Sequence, residues 1–274
     1  MSWLLFLSRA ALAEDSTFVG TQAPPAEAPE KPETHLTAEL GGSLASGNSN
    51  FYTLNGLLNV SHKVQKNQVS VVAGLNLGGA KPLPVVSTTT GGGTVSTPPA
   101  EPDKYVENVR RLYTDARYDR FLSDKDSLYA LAGAFHDKYA GYDIRAHEQI
   151  GYSRLLLKND KSEIKSEIGA DWAQEDYFGD DVDPGFQNII AARVLLGASH
   201  TFNDKVALSE TFEAYENVID LADLRILNTA AVTSSLSGKL SLKVSHSLIF
   251  DNVPVEGFES VDQTTMVTLV ASLL

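Results

Sequence analysis

Apolar and polar residues alternate with a period of two along most of this chain. Between residues 36 and 44, for example, Leu36, Ala38, Leu40 and Leu44 are separated by polar or small residues. A period of two is typical of β-strands whose two faces meet different surroundings. Because no helical stripe of ten or more residues interrupts the pattern, the chain is predicted to be all-β, and a parallel sheet built from βαβ units is disfavoured.

The same alternation recurs in further segments, and the sequence predicts about twelve strands. After the first segment, 36–44, the predicted strands are 52–61, 69–77, 106–121, 127–135, 144–157, 162–172, 188–202, 206–215, 225–236, 240–250 and 263–274.

The connections between these strands fall into two classes that alternate along the chain. One class is short: 63–67, 122–126, 158–161, 203–205 and 237–239. The other is longer, apart from a tight first turn at 47–50: 79–105, 136–143, 173–187, 216–224 and 251–262. Successive connections of an up-and-down barrel lie at opposite ends, and outer-membrane barrels have short periplasmic turns and long outer loops. Residues 34–274 are therefore predicted to form an up-and-down antiparallel transmembrane β-barrel.

Composition excludes several other classes of protein. The chain has 22 Lys and Arg residues against 35 Asp and Glu residues, and its net charge of −13 argues against nucleic acid as a partner. The absence of cysteine excludes disulfide scaffolds, thiolate zinc sites and cysteine nucleophiles. A membrane-spanning helix is excluded because no apolar run reaches about 18 residues.

The first 33 residues differ from the rest. Residues 1–13 have the short apolar run and the Ala11-Leu12-Ala13 end that are typical of an export signal peptide, and they are predicted to be one. The run is short and no Lys or Arg precedes it, which also fits a truncated start. Residues 14–33 are rich in Pro, Ala and Glu and are predicted to be a disordered linker.

The predicted inner face of the barrel carries charges of both signs. A wet lumen accepts such residues, whereas a dry core would require every one of them to be paired. The predicted lumen-lining residues are Asp115, Arg117, Asp119, Arg145, His147, Glu163, Lys165, Glu167, Asp171, Arg193 and Lys243.

Two residues conflict with this assignment of faces. Glu210 and His246 lie near the middle of their strands on the face that is predicted to meet lipid. A charge at that depth costs a few kcal/mol, about 2–4 for Lys or Arg and less for Glu. We therefore expect either a bulge that shifts the alternation there or a different strand assignment.

Several short motifs resemble one bacterial family. They are the segment 116–123 (ARYDRFLS) with the residues up to Ala130, the residues from Asp143 to Tyr152, the turn at Ser46–Ser49, and Asn252-Val253-Pro254 before the last strand. Together they are similar to the domain of unknown function 481 (DUF481) family, the YdiY-like "salt-induced outer membrane proteins", over roughly 36–274. The resemblance implies an outer-membrane β-barrel without an established biochemical activity.

Catalytic and metal sites have weaker support. A rim hydrolase would use His136, Asp137 and His147, but no G-x-S-x-G or comparable signature accompanies them. The acidic loop 173–187 offers Asp176, Asp180, Asp181 and Asp183 as weak candidates for a hard cation, although their spacing does not match an EF-hand. The histidines lack zinc-ligand spacing, so no metal or cofactor is predicted.

The sequence thus favours a non-enzymatic barrel of the bacterial outer membrane, exported through the periplasm. We interpret it as a structural or envelope-stress protein, or as a narrow passive pore with a charged lumen. The expected partners are outer-membrane lipid, lipopolysaccharide and the barrel-assembly machinery. Two alternatives stay open: the rim hydrolase, and a soluble lipocalin-like binding barrel in which the apolar face points inward.

Overall fold

The computed structural model describes residues 32–46, 50–81, 104–177, 187–254 and 259–273. The predicted signal peptide and nearly all of the predicted linker lie outside these ranges, as do most of loop 79–105 and Asp180, Asp181 and Asp183 of the acidic loop. Within them, no helix is long and apolar enough to span a membrane.

The described residues form twelve β-strands, close to the segments that the alternation predicts. In chain order the strands are β1 (Glu33–Ala45), β2 (Phe51–Val64), β3 (Asn67–Ala80), β4 (Val106–Phe121), β5 (Asp126–Asp137), β6 (Tyr142–Lys158), β7 (Ser162–Tyr177), β8 (Gln187–Asn203), β9 (Val206–Asn217), β10 (Leu224–Ser235), β11 (Leu240–Asp251) and β12 (Val261–Ser272).

Each strand pairs antiparallel with the next, and β1 pairs with β12, so the sheet closes on itself. The predicted up-and-down barrel is therefore confirmed. The closing seam is short, because only Thr37–Gly41 pair with Thr268–Ser272. At the seam, a Cβ on Gly41 would lie 2.6 Å from the Val267 backbone oxygen, so glycine is required for this close approach.

The long connections are shorter than predicted because the strands beside them continue, and the difference is largest at two of them. Strand β7 runs to Tyr177, whereas the predicted loop begins at residue 173. The extension is explained by Ala173 and Glu175, which point into the barrel and are completely buried there. Similarly, β5 ends at Asp137 and β6 begins at Tyr142, which leaves residues 138–141 as the connection.

The two faces of the sheet have opposite character. On the outer face, Ile168 and Val194 are 60% and 50% exposed, whereas Glu167 and Arg193, their neighbours in sequence, point inward and are each 1% exposed. An apolar exterior around a charged interior is the reverse of a soluble protein. This orientation contradicts the lipocalin-like alternative, in which the apolar face would be inside.

Candidate functional site: the barrel lumen

A cluster of buried ion pairs fills one side of the lumen. We call it the central ion cluster. Its members are Arg117 and Asp119 of β4, Lys165 and Glu167 of β7, Arg193 of β8 and Glu213 of β9. Three cations face three carboxylates, so the cluster is formally neutral.

Arg117 contacts two carboxylates at once. Its Nε and Nη2 donate to Asp119 at 2.9 and 2.8 Å, and its Nη1 and Nη2 donate to Glu167 at 3.1 and 2.9 Å. A planar guanidinium suits such two-point contacts. Since Asp119 lies on the same strand and Glu167 lies three strands away, the second contact crosses the barrel interior.

Glu167 is the carboxylate that joins the cluster together. Besides Arg117, it accepts from Arg193 Nη1 at 2.8 Å and contacts Lys165 Nζ at 3.3 Å. Arg193 in turn donates through Nε and Nη2 to Glu213 and through Nη1 to the Tyr129 hydroxyl on β5. Strands β4, β5, β7, β8 and β9 are therefore connected through the lumen as well as through the sheet.

Asp171 and Gln149 lie on the side of this cluster that faces the long loops. They are directly paired across β7 and β6. Both side chains are buried, and Gln149 donates to the Tyr215 hydroxyl at 3.3 Å. Among the described residues, neither carboxylate oxygen of Asp171 has a hydrogen-bond partner.

A second ion cluster lies toward the long-loop end of the barrel. Glu175 contacts Arg145 Nε at 3.1 Å and Arg225 Nη1 at 2.5 Å. Arg225 also contacts Asp223 and Asp251, at 3.3 and 3.4 Å. The sequence interpretation missed Glu175 because it assigned that residue to a loop. It also missed Glu213 and Arg225, although their positions in the alternation place them on the inner face.

Asp115 and His147 form a smaller pair on the lumen wall, with Oδ1 and Nε2 2.8 Å apart. Gly133 lies between them on β5, where it pairs with both residues. A Cβ there would fall 1.8 Å from Asp115 Oδ1 and 2.3 Å from His147 Nε2. The glycine therefore provides the space in which the two side chains meet.

The other side of the lumen contains a cavity of about 170 Å³, which we call the polar cavity. It is lined by β1–β4 and β9–β12. One ion pair faces it, Lys243 Nζ to Glu39 Oε2 at 2.5 Å. The neutral polar residues of its lining are Asn55, Asn59, Asn76, Ser209, Thr211, Thr229, Ser245, Ser247 and Thr268.

The residues proposed for a rim hydrolase are not brought together. His136 and Asp137 are consecutive on β5 and so point to opposite faces. His136 contacts Asp143 on the outer side, whereas Asp137 is buried near Arg111, with Oδ2 and Nη1 3.6 Å apart. His147, the third candidate, contacts Asp115 in the lumen.

The remaining predicted residues lie near the ends of the barrel. Glu163 contacts Lys158 at 3.3 Å beside the short turn between β6 and β7. Asp176 lies near the long-loop end of β7. Within the described ranges, no group of three or more His, Cys, Asp or Glu side chains could hold a metal ion.

Tyr139 attaches the connection 138–141 to strand β4. Its hydroxyl donates to the Glu107 backbone oxygen at 2.6 Å and to the Glu107 carboxylate at 3.2 Å. Burial and the Glu107 carboxylate raise the pKa of the Tyr139 phenol, so it stays neutral and continues to donate at physiological pH.

Glu210 and His246 lie on the outer wall. Both side chains are exposed there, and the pairing of β9, β10 and β11 runs without a register shift past them. Both expected explanations, a bulge and a different strand assignment, are therefore wrong, because the strands lie where they were predicted and their regular alternation places both residues outside. Glu148 of β6 is also exposed on the outer face, opposite Trp172, and the sequence interpretation did not identify it.

A closed, up-and-down barrel with an apolar exterior and a charged, polar interior has the architecture of the outer-membrane β-barrels. The family model described as "Protein of unknown function, DUF481" matches residues 38–273, so the chain belongs to the DUF481 family. The resemblance stated from the sequence motifs is thereby confirmed.

The solved structures that resemble this chain include a porin and an outer membrane channel. The NanC porin is 10% identical, with a TM-score of 0.51 over 87% of this chain and 100% of that one. An outer membrane channel from Pseudomonas putida F1 is 14% identical, with a TM-score of 0.49 over 93% of this chain and 98% of that one. At such low identity, the likeness to NanC shows the fold alone. No curated protein matches the chain.

Proposed function

We propose that this protein is an outer-membrane barrel that acts as a narrow passive pore for small polar solutes. The observation that carries the proposal is the polar cavity, a space with many polar lining groups inside a closed barrel with an apolar outer wall. In this proposal the chain is exported through the periplasm and inserted by the barrel-assembly machinery, and lipid and lipopolysaccharide surround its outer wall.

The proposed path runs along β9–β12 and β1–β4. On the opposite side, the central ion cluster excludes water, because Arg117, Lys165 and Glu167 are buried in contacts with one another. Hydroxyl and amide groups along the polar cavity can replace part of the hydration shell of a passing solute. The only charges of the cavity lining within the described residues are Glu39 and Lys243.

This placement determines which charges are expected to control ion selectivity. Arg117, Arg145 and Lys165 were all predicted to line the lumen, but their side chains are almost completely buried in ion pairs. A charge influences permeating ions most when it faces the aqueous path, and Glu39 and Lys243 do so.

Planar-bilayer recording of the purified full chain tests the proposal. Ser245 points into the polar cavity and Val244 points outward from the same strand, so Ser245→Trp and Val244→Trp form a matched pair. We expect channels from the wild type and from Val244→Trp, and a clearly smaller conductance from Ser245→Trp. Equal conductance of the two variants would contradict a path through the cavity.

A barrel with a purely structural role is the second candidate. It is favoured by the central ion cluster, which closes one side of the lumen and connects β4 with β7, β8 and β9. A folded wild-type protein that gives no conductance above the lipid background would support this role against the pore.

A further inference from the structure

The outer wall carries a polar row that the proposed pore does not use. Ala230 of β10 pairs with Glu210 of β9 on one side and with His246 of β11 on the other. His246 pairs next with Thr265 of β12. The row lies within the apolar exterior, since Phe212 and Val244, which flank it, are exposed to the same surroundings.

These polar groups are only partly satisfied within the chain. Glu210 Oε1 accepts from Asn228 Nδ2 at 3.2 Å, and His246 Nδ1 lies 2.9 Å from the Thr265 hydroxyl. Among the described residues, no contact is recorded for Glu210 Oε2 or His246 Nε2. Hydrocarbon offers a carboxylate and an imidazole nothing to bond with, so polar groups at this depth face a protein partner or water.

We propose that this wall is the interface of a symmetric dimer, in which Glu210 of each copy pairs with His246 of the other. The inference rests on the proposed membrane location and adds a partner to it. A two-fold axis that runs along the membrane normal and passes through Ala230 places Glu210 of each copy opposite His246 of the other. One symmetry operation therefore forms both Glu210–His246 pairs.

The geometry of the row agrees with this arrangement. Neighbouring strands are about 4.8 Å apart, which places Glu210 and His246 about 10 Å apart along the row. A strand tilt of about 40° offsets them in height by about 6 Å, which a glutamate and an imidazole side chain can bridge. The small side chain of Ala230 at the axis lets the two walls approach closely.

A second copy fits this wall better than another partner does. Any partner in the bilayer must present a basic group to Glu210 and an acidic group to His246. An identical copy related by the two-fold axis carries both groups at the required depth. Glu148, the other outward carboxylate discussed above, is paired with Ala132 and Trp172, so its row contains no complementary group.

Disulfide cross-linking tests the axis directly, because the chain contains no cysteine. A residue on a two-fold axis meets its own copy, so Ala230→Cys is expected to form a disulfide-linked dimer in the membrane after mild oxidation. The matched control is Ala73→Cys. It lies on β3, five strands away by the shorter way around the barrel, and is also a half-buried outward alanine.

Charge reversal then tests the pairing in the Ala230→Cys background. E210H alone places two imidazoles opposite each other, and H246E alone places two carboxylates opposite each other. We expect the dimer yield of each to fall about tenfold or more. Mixing the two variants, one with a larger tag, restores complementary pairs, so the heterodimer is expected to form at the yield of Ala230→Cys alone.

Heat-modifiable gel mobility separates the failure of this inference from the failure of the membrane location. Variants that show the mobility shift are folded barrels. If they cross-link no better through Ala230→Cys than through Ala73→Cys, or if the mixture gives no heterodimer, the dimer is wrong. Cross-linking of Ala230→Cys to a different protein would also overturn it. A chain without the mobility shift in the membrane fraction would overturn the location itself.

Discussion

Arg117 of β4 and Glu167 of β7 meet across the barrel interior, with two nitrogen–oxygen contacts of 3.1 and 2.9 Å. Neither side chain has appreciable exposure, so the contact is screened little by water. Because two strands of the wall, β5 and β6, lie between β4 and β7, the pair constrains the curvature of this part of the barrel and excludes a water path there.

The first prediction concerns the loss of Arg117. Arg117→Met leaves Asp119 buried without the guanidinium that contacts both of its oxygens. We expect a loss of about 3–5 kcal/mol in the free energy of unfolding, because an uncompensated buried charge is left behind. Urea unfolding of the detergent-folded barrel, followed by tryptophan fluorescence, measures it.

An exposed ion pair on the same strand is the control. Arg110 contacts Glu107 at the rim with much of its side chain in water, so Arg110→Met is expected to cost less than about 1 kcal/mol. The double variant Arg117→Met with Asp119→Leu removes one charge of each sign and is expected to recover most of the loss. A double variant less stable than Arg117→Met would contradict this account.

The sequence predicts the barrel well because the alternation is a local property. In a closed sheet with lipid outside and polar groups inside, every strand must repeat the same two-residue pattern, as Glu167-Ile168 and Arg193-Val194 do. The pattern also indicates which residues point inward. It fails at the strand ends, where Glu175 continues a strand that was predicted to have become a loop.

Contacts across the lumen are not predictable in the same way. Arg117 meets Glu167, fifty positions away, because the closed sheet brings β4 opposite β7. Nothing local in the sequence indicates that the charges gather on one side while Asn55, Thr229 and Ser245 line a cavity on the other side. The two-sided lumen therefore emerges only from the three-dimensional structure.

The second prediction concerns ion selectivity. In Lys243→Gln, the Glu39 carboxylate faces the polar cavity without its cation, so the reversal potential in a salt gradient is expected to shift toward cation preference. Glu39→Gln leaves the ammonium unpaired and is expected to shift it toward anion preference. Lys205→Gln, in the short turn between β8 and β9, is the control and should leave the potential unchanged. Shifts of the same sign in both variants would contradict a role for this pair in selectivity.

The third prediction concerns the seam that closes the barrel. A side chain at Gly41 would press against the Val267 backbone oxygen, which cannot move without disturbing the ladder between β1 and β12. We expect Gly41→Val to cost about 1–3 kcal/mol and to lower the temperature at which the folded gel band disappears. Ala38→Val, which points outward from the same strand, should change stability by less than about 0.5 kcal/mol. Equal melting of the two variants would count against the seam as a constrained position.

The last prediction concerns the Asp115–His147 pair. In Gly133→Ala, the new methyl group would occupy the space where Asp115 Oδ1 and His147 Nε2 now meet, so the two side chains must separate. Losing this contact inside the lumen is expected to cost about 1–3 kcal/mol in urea unfolding.

Gly56 supplies the matched control, because a Cβ there would lie no closer than 3.6 Å to Leu75. Gly56→Ala should therefore be neutral or stabilising by about 0.4–1 kcal/mol, since alanine restricts the unfolded chain.

The cause of the loss at Gly133 is tested by repeating Gly133→Ala in an Asp115→Ala background, where the carboxylate that the methyl would strike is absent. Because the two positions share one contact, their effects should not add, and the second loss should be clearly smaller than the first. A full loss in both backgrounds would show that the wall around Gly133, and not the Asp115–His147 contact, sets the requirement for glycine.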